Sequence, residues 1–180
     1  EDSEEKARTP VEGEPWLSPS TEMEFVWLDD LGLWAGKHEV TNAQYRLFKD
    51  SHDSGSFNGY TLNEGEQPVV RINFHDARAY AQWLTRKEQD KGLIPPDHVY
   101  RIPTNDEWIA MAQCGDARRF PWGPQWPPQP ASGNYLGAEA AAFGTPIPQF
   151  EDPHVVTAPV TKAGRNDWGL FGVGGNVWEM

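Results

Sequence analysis

Three stretches of the chain carry apolar residues at helical spacing directly after a capping signal. Each stretch opens with a threonine or asparagine, and an acidic or amide side chain follows three residues later, so that free amide groups at a helix start are satisfied. The capping pairs are Thr41 with Gln44, Asn73 with Asp76, and Thr104 with Glu107. The pattern predicts three helices, of which the second ends at Gly92 and the third before Gly115.

The rest of the chain alternates short apolar runs with coil. Residues 23–27 and 33–40 are apolar runs separated by polar residues and Gly32, which predicts two strands joined by a turn. Residues 1–22 are acidic and poor in aliphatic side chains, so we expect a flexible arm there and a packed domain over residues 23–180. Proline, glycine and tryptophan dominate residues 120–180, and a coil of that length requires specific stabilisers.

Net charge and cysteine content exclude several kinds of partner and site. The chain has 27 acidic and 15 basic residues and a formal net charge of −12, so we expect it to bind neither nucleic acid nor membrane. The single cysteine, Cys114, cannot form an internal disulfide, and we interpret it as a core residue. The five histidines have no partner one helical turn away, which argues against a zinc or non-haem iron site.

Seven short motifs follow one another in a fixed order. They are KHEVTN at 37–42, PVVRIN with DARAY at 68–80, WL at 83–84, YRIPT with EW at 100–108, FPWG at 120–123, NDWGLF at 166–171 and GNVWE at 175–179. Together they resemble the formylglycine-generating enzyme family, also called the sulfatase-modifying factor family, over residues 23–180. Within the fourth motif, Thr104 and Glu107 form a capping box, and we expect Arg101 to pair with a buried carboxylate.

The resemblance implies an α+β fold of the C-type-lectin-like kind, low in regular secondary structure. Such a fold has two to three helices with small antiparallel sheets, and its C-terminal strands return to pair with the N-terminal one. We therefore expect that a C-terminal segment is missing, that the edge at residues 23–27 is unpaired, and that the faces of Trp168 and Trp178 are partly bare. Trp122, Trp168 and Trp178 fall at framework positions and are expected in the core, and Trp126 at the surface.

The resemblance also implies two calcium sites built largely from oxygen atoms of the coil. The first would use the side chains of Asn134 and Asp152 with the carbonyl groups of Tyr135 and His154. The second would use the Glu179 side chain, the carbonyl groups of Gly175 and Val177, and an Asp or Asn side chain at the position of Gly172. That last oxygen is absent here. The alternative is that Asp152 and Glu179 only cap turns.

Two functions remain open. The oxidising branch of the family converts a sulfatase cysteine to formylglycine with copper(I), oxygen and two cysteines that follow the GNVWE motif, and this sequence has no cysteine there. We therefore favour a calcium-stabilised ligand- or protein-binding scaffold, a class that includes the variable proteins of diversity-generating retroelements. The alternative is a copper-dependent sulfatase-maturing oxidase whose active-site segment lies after Met180 or on another chain.

The expected partner is a protein or peptide ligand or a companion C-terminal fragment. Whether the chain is part of an enzyme stays open, and an extracytoplasmic location is favoured.

Overall fold

The computed structural model describes residues 9–129 and 131–180. Over these residues the strands are β1 (Trp16–Leu17), β2 (Glu24–Leu28), β3 (Leu33–Gly36), β4 (Ser56–Phe57) and β5 (Tyr60–Thr61), and the helices are α1 (Asn42–Arg46), α2 (Phe74–Gln89) and α3 (Asn105–Gln113). Two short 3-10 helices lie at Ala138–Phe143 and Val160–Lys162. This is the expected α+β architecture of few helices and small antiparallel sheets.

The larger sheet has the strand order β1, β2, β3, and both pairings are antiparallel. Trp16 pairs with Phe25 across β1 and β2, and Val26 pairs with Ala35 across β2 and β3. Strand β2 therefore lies in the centre of the sheet. The expectation that residues 23–27 form an unpaired edge is wrong, because β1 covers one side of β2 and β3 covers the other.

Part of the expected N-terminal arm belongs to the packed structure. Trp16 is 9% exposed, and its indole N–H donates to the hydroxyl of Tyr100 at 2.8 Å. The Ser18 hydroxyl is fully buried and donates to Oε1 of Glu88 at 2.7 Å. The boundary at residue 22 is thus corrected, because these side chains fix the chain from Trp16 onward. Residues 1–8 lie outside the described residues.

The three helices begin where the capping signals predict. Thr41, Asn73 and Thr104 are the N-caps, and each forms a complete capping box. Helix α2 ends at Gln89, and Gly92 follows with a φ of +68°. Among the described residues, no helix is both long enough and apolar enough to cross a membrane.

Two apolar clusters form the core around the larger sheet. The first joins Leu28 and Ala35 of the sheet to Met111 of α3 and Leu170 of the coil, and the half-buried Trp108 and Trp168 pack against it. The second contains Trp16, Phe25 and Ile94. The sheet is thereby attached to α3 and to the C-terminal coil, and these elements surround the candidate site.

Buried polar side chains stabilise the C-terminal coil. Oδ1 of Asn166 accepts the backbone N–H groups of Trp168 at 3.1 Å and Leu170 at 3.0 Å. The Asn166 amide donates to the carbonyl group of Met111 at 2.9 Å. Because one buried side chain satisfies three backbone groups, this segment needs no regular secondary structure.

Candidate functional site

A large apolar cleft lies alongside β3 and the end of the chain. Its volume is about 1020 Å³, and its wall includes the aromatic side chains of Trp34, Trp108, Phe171 and Trp178. Glu39, Glu107 and Glu179 also line it. The cleft therefore combines a broad apolar surface, which favours binding of apolar side chains, with acidic groups that favour cations or basic groups.

The tryptophan predictions have mixed outcomes. Trp178 is 100% exposed beside the cleft, so its expected place in the core is wrong. Trp168 is half-buried against the first core cluster, and the ring of Trp122 stacks on that of Phe120 at a centroid distance of 4.8 Å. Trp126 is 56% exposed, as expected for a surface aromatic side chain. Trp178 thus contributes its whole indole to a surface, which the motif alone did not indicate.

The outer edge of β3 borders the cleft. The backbone N–H of Lys37 donates to the carbonyl group of Glu24 at 2.8 Å, so the backbone groups of alternate residues, including Ala35, face β2. Those of Trp34 and Gly36 consequently point away from β2. Strand β3 is the last strand on this side of the sheet within residues 9–129 and 131–180, and all of β3 lines the cleft. The cleft therefore contains backbone donors and acceptors on a strand edge.

Glu39 is a functional candidate that the sequence reasoning missed. Glu39 follows β3 in the chain and lies further inward. Just before it, the carbonyl group of Lys37 accepts the N–H of Phe171 at 2.8 Å. Oε1 of Glu39 accepts the side-chain N–H of Asn176 at 3.0 Å, and Oε2 is buried without a partner among the described residues. The pKa of Glu39 is raised to about 8, chiefly by burial and to a smaller extent by the charge of Glu179, while the Asn176 hydrogen bond opposes the shift.

Three residues of the predicted first calcium site, Tyr135, Asp152 and His154, are joined through backbone N–H groups. Asp152 is 7% exposed, and its carboxylate accepts the backbone N–H of Tyr135 at 3.1 Å and that of His154 at 2.8 Å. Burial raises the pKa of Asp152, and the charge of Glu139 raises it further. The Glu139 carboxylate lies beside it and accepts the N–H of Asp152 at 3.1 Å. The acidic side chains of Asp152 and Glu139 thus lie close together, and neither forms a salt bridge to a basic side chain among the described residues.

Asn134 connects the first set of residues to the second. Its side-chain amide donates to the carbonyl group of Val156 at 2.7 Å and to Oδ1 of Asn176 at 2.8 Å. Its own carbonyl group accepts the N–H of Asn176 at 2.8 Å. Asn176 also contacts Glu39, so the two sets of predicted ligands share one hydrogen-bond network.

The residues of the second predicted set lie at the mouth of the cleft. The carbonyl group of Gly175 accepts the N–H of Val177 at 2.7 Å, and the Glu179 carboxylate accepts the indole N–H of Trp108. The chain has Gly172 where the resemblance requires an acid or amide side chain, and Gly172 faces the Glu39 carboxylate. Residue 172 therefore lacks the expected side-chain oxygen, but the carboxylate of Glu39 lies in the space beside it.

The two sets of predicted ligands provide only some of the oxygen atoms that a bound cation would need. In residues 9–129 and 131–180, no group of three or more His, Cys, Asp or Glu side chains is arranged to hold a metal ion. Any cation would consequently depend on backbone carbonyl groups and amide oxygens as well as one or two carboxylates. Calcium accepts such mixed oxygen ligands, whereas zinc and copper prefer imidazole or thiolate.

Copper(I) does not fit the described residues. Cys114 is the only cysteine in the sequence, and it lies half-buried at the left-handed C-cap of α3, with a φ of 51°. The expectation that Cys114 is a core residue is therefore corrected, because its side chain is only half-buried. A copper(I) centre of the expected kind needs a pair of thiolates, which one cysteine cannot provide.

Arg101 and Glu107 form a bidentate pair at the start of α3. The Arg101 guanidinium donates to the two oxygens of Glu107 at 2.7 and 2.6 Å, and Glu107 also accepts the N–H of Thr104 at 2.7 Å. The partner of Arg101 is thus the carboxylate of the capping box itself. Its hydrogen bonds hold the pKa of Glu107 at about 2.

The family is decided by comparison with known proteins. A family model for the sulfatase-modifying factor enzyme 1-like domain matches residues 11–180. The chain belongs to the sulfatase-modifying factor family. The match begins before residue 16, in agreement with the packing of β1. A solved structure of PvdO from Pseudomonas aeruginosa superposes with a TM-score of 0.61 over 96% of this chain and 76% of that one, at 16% identity. The C-type-lectin-like fold of this family is thereby confirmed.

Both active and inactive members of the sulfatase-modifying factor family resemble the chain. A formylglycine-generating enzyme of Thermomonospora curvata is 34% identical over 114 residues, which are 62% of this chain and 32% of the relative. An inactive Cα-formylglycine-generating enzyme 2 of Bos taurus is 30% identical over 118 residues, 63% of this chain and 32% of the relative. The chain thus matches about a third of the length of these relatives.

Proposed function

We propose that this chain is a calcium-stabilised scaffold that binds an extended polypeptide segment along β3. The observation that carries the proposal is the outer edge of β3 inside the apolar cleft. Backbone groups of Trp34 and Gly36 face away from β2, and apolar side chains surround them. An added strand would pair with these groups while its alternate side chains enter the cleft, as in β-augmentation.

The exposed aromatic side chains support the same function. Trp178 is fully exposed beside half-buried Trp108 and Phe171, and a bare apolar surface of this kind is unfavourable in water. An extended segment would cover it. The segment belongs either to a companion C-terminal fragment of the same protein or to a separate protein or peptide ligand.

Calcium is the cation proposed for the first site. Asn134 and Asp152 would contribute side-chain oxygens, and Tyr135 and His154 would contribute carbonyl groups. The buried Asp152 carboxylate beside Glu139 supports this assignment, because two close acidic groups repel each other until a cation binds, and neither forms a salt bridge among the described residues. Bound calcium would hold together the two coil segments that Asp152 already connects.

A second candidate function is the oxidation of a sulfatase cysteine to formylglycine by the whole protein. The 34% identity to a formylglycine-generating enzyme favours it. The copper centre would then require cysteines outside this sequence. Incubation of the intact protein with copper and a cysteine-bearing sulfatase peptide, followed by peptide mass measurement, would reveal the loss of sulfur that this function predicts.

The binding proposal is tested by blocking the outer edge of β3. Gly36→Pro removes an outward N–H without removing a bond to β2, and proline is tolerated at such edge positions. Gly36→Ala is the matched control, because it keeps the N–H and its Cβ has only the carbonyl oxygen of His38 within 4 Å, at 3.5 Å. The proline variant of the intact protein should lose the bound segment, and the alanine variant should keep it.

Two mass measurements identify the source of the segment. A separate partner is indicated if the native mass of the alanine variant exceeds its denatured mass, whereas the native and denatured masses of the proline variant are equal. Equal masses with a lower melting temperature in the proline variant alone indicate a segment of the same polypeptide. If the two variants agree in mass and in melting temperature, the binding proposal is wrong.

A further inference from the structure

The chain segment between α2 and α3 alternates in direction as a strand does. The carbonyl group of His98 accepts the side-chain N–H of Gln89 at 2.9 Å. The N–H of Tyr100 donates to the Thr85 hydroxyl at 2.9 Å, and the carbonyl oxygen of Tyr100 lies 3.3 Å from the same hydroxyl. Because Thr85 and Gln89 both belong to α2, these backbone groups of His98 and Tyr100 face that helix.

The backbone groups of Val99 and Arg101 point away from α2. Successive residues of an extended chain direct their N–H and C=O groups to opposite edges. Neither Val99 nor Arg101 has a backbone hydrogen bond within the part of the chain that the structure describes, and both residues line the cleft. The apolar side chain of Val99 is also 60% exposed. The N–H and C=O groups of these two residues form a second edge of the cleft, in addition to the outer edge of β3.

The second edge lies in a different layer from β3. The ring of His98 is 5.7 Å from that of Trp34 between centroids. The ring of Tyr100 is 5.3 Å from that of Phe25. Phe25 and Trp34 project from the same face of the larger sheet, because Phe25 is two positions from Trp27 and Trp27 pairs with Trp34. The segment that carries the second edge is therefore stacked on this face of the sheet.

A single added strand cannot pair with both edges. Paired strands lie about 4.8 Å apart, whereas stacked layers lie about 10 Å apart. A strand that extends the sheet beyond β3 remains in the layer of the sheet, so it is too far from the second edge for hydrogen bonds. The free groups of Val99 and Arg101 would then be covered without partners, which is unfavourable.

We propose that the polypeptide segment bound in the cleft is two-stranded. One strand pairs with the outer edge of β3, and the other pairs with Val99 and Arg101 in the second layer. The apolar side chains between the two strands fill the cleft. The inference rests on the proposed function and adds to it the form of the partner, which is a pair of connected strands and not a single extended peptide.

Amide hydrogen exchange of the intact protein at the second edge tests the proposal. The amide groups of Val99 and Arg101 should exchange on the order of 100-fold or more slowly than unpaired amide groups. The amide group of Tyr100, which is bonded to Thr85, is the internal reference for this segment. The amide groups of Trp34 and Gly36 report on the β3 edge in the same measurement.

A pair of variants at Val99 isolates one backbone group of the second edge. Val99→Pro removes the N–H, and an extended edge position accommodates proline. Val99→Ala is the matched control, because it shortens the side chain and keeps the N–H. The amide group of Arg101 should exchange at least ~10-fold faster in the proline variant than in the alanine variant, whereas that of Tyr100 should stay slow in both. If Tyr100 also exchanges rapidly in the proline variant, the segment has unfolded locally and exchange in the wild type decides.

The outcomes separate this inference from the proposed function. Slow exchange at both edges of the wild type supports the inference. Slow exchange at Trp34 and Gly36 with rapid exchange at Val99 and Arg101 would overturn it and leave strand addition to β3 intact. Rapid exchange at both edges would overturn both. Slow exchange at the second edge alone would contradict binding along β3 and the two-stranded partner together, and equal exchange of Arg101 in two folded variants would overturn the inference.

Discussion

The carboxylate of Glu39 and the bare backbone of Gly172 occupy one shared space, in which the Cβ position of Gly172 lies 2.5 Å from Cδ of Glu39. A full side chain at both positions would overlap. This relationship connects the KHEVTN motif with the residue that directly follows the NDWGLF motif, and Asn176 of the GNVWE motif is hydrogen-bonded to the same carboxylate. Two motifs and the glycine that follows NDWGLF thus meet at a single carboxylate.

Gly172→Ala should destabilise the fold by roughly 2 to 4 kcal/mol, because it adds a clash with Glu39 to the strain of a positive φ. Gly92→Ala is the matched control. It has a φ of +68° with no atom within 4 Å of the added Cβ, and should cost only roughly 1 kcal/mol. Urea unfolding measures both. The double variant with Glu39→Ala should recover the difference, and additive effects in that cycle would contradict the shared space.

Glu88→Ala should lower the free energy of unfolding by about 3 kcal/mol or more. The Glu88 side chain is fully buried and accepts the Ser18 hydroxyl at 2.7 Å, the Ser20 N–H at 3.1 Å and the Tyr100 hydroxyl at 2.6 Å. Its loss leaves three donors unsatisfied and detaches β1 from α2. Arg86→Ala, on the exposed face of the same helix, should change stability little, and equal effects of the two variants would count against the network.

The Arg101 and Glu107 pair predicts a pH dependence of stability. The pKa of Glu107 is lowered to about 2 in the folded protein, so its contribution is fully present above the ordinary value of about 4.5 and is lost as the pH falls toward 2. Glu107→Gln should lower stability by about 1 kcal/mol at neutral pH and by less at pH 3. Chemical unfolding of both proteins across this range checks the sign, and a difference that grows at low pH would contradict it.

Removal of calcium should lower the melting temperature of the intact protein. Binding to the folded state alone adds about 2.7 kcal/mol when calcium is ~100 times its dissociation constant. Melts with chelator, followed by added calcium, measure the shift, and Asp152→Asn should reduce it. A melting temperature that is the same with chelator and with calcium would contradict calcium binding at either site.

Local signals in the sequence were sufficient for the helices. Thr41, Asn73 and Thr104 each satisfy amide groups within three residues, so their role depends on no distant part of the chain. The role of Trp16 was missed because its partner Tyr100 lies 84 positions away. A short acidic segment with few aliphatic residues resembles a flexible arm until that distant contact is known.

The candidate site was predictable only where its residues form local turns. Asp152 and His154 are two positions apart and hydrogen-bonded, and the family resemblance had assigned both to one predicted site. Glu39 and Asn176 are 137 positions apart, and no local pattern in the sequence indicates their contact. The exposure of Trp178 likewise depends on what packs around it, which a motif does not specify.

Residue-resolved hydrogen exchange of the intact protein tests the binding scaffold most directly. The amide groups of Trp34 and Gly36 face away from β2, whereas that of Ala35 faces β2 and serves as an internal reference. We expect the amide groups of Trp34 and Gly36 to exchange as slowly as that of Ala35, because a bound segment pairs with the outer edge of β3. Rapid exchange at Trp34 and Gly36 beside slow exchange at Ala35 would contradict it.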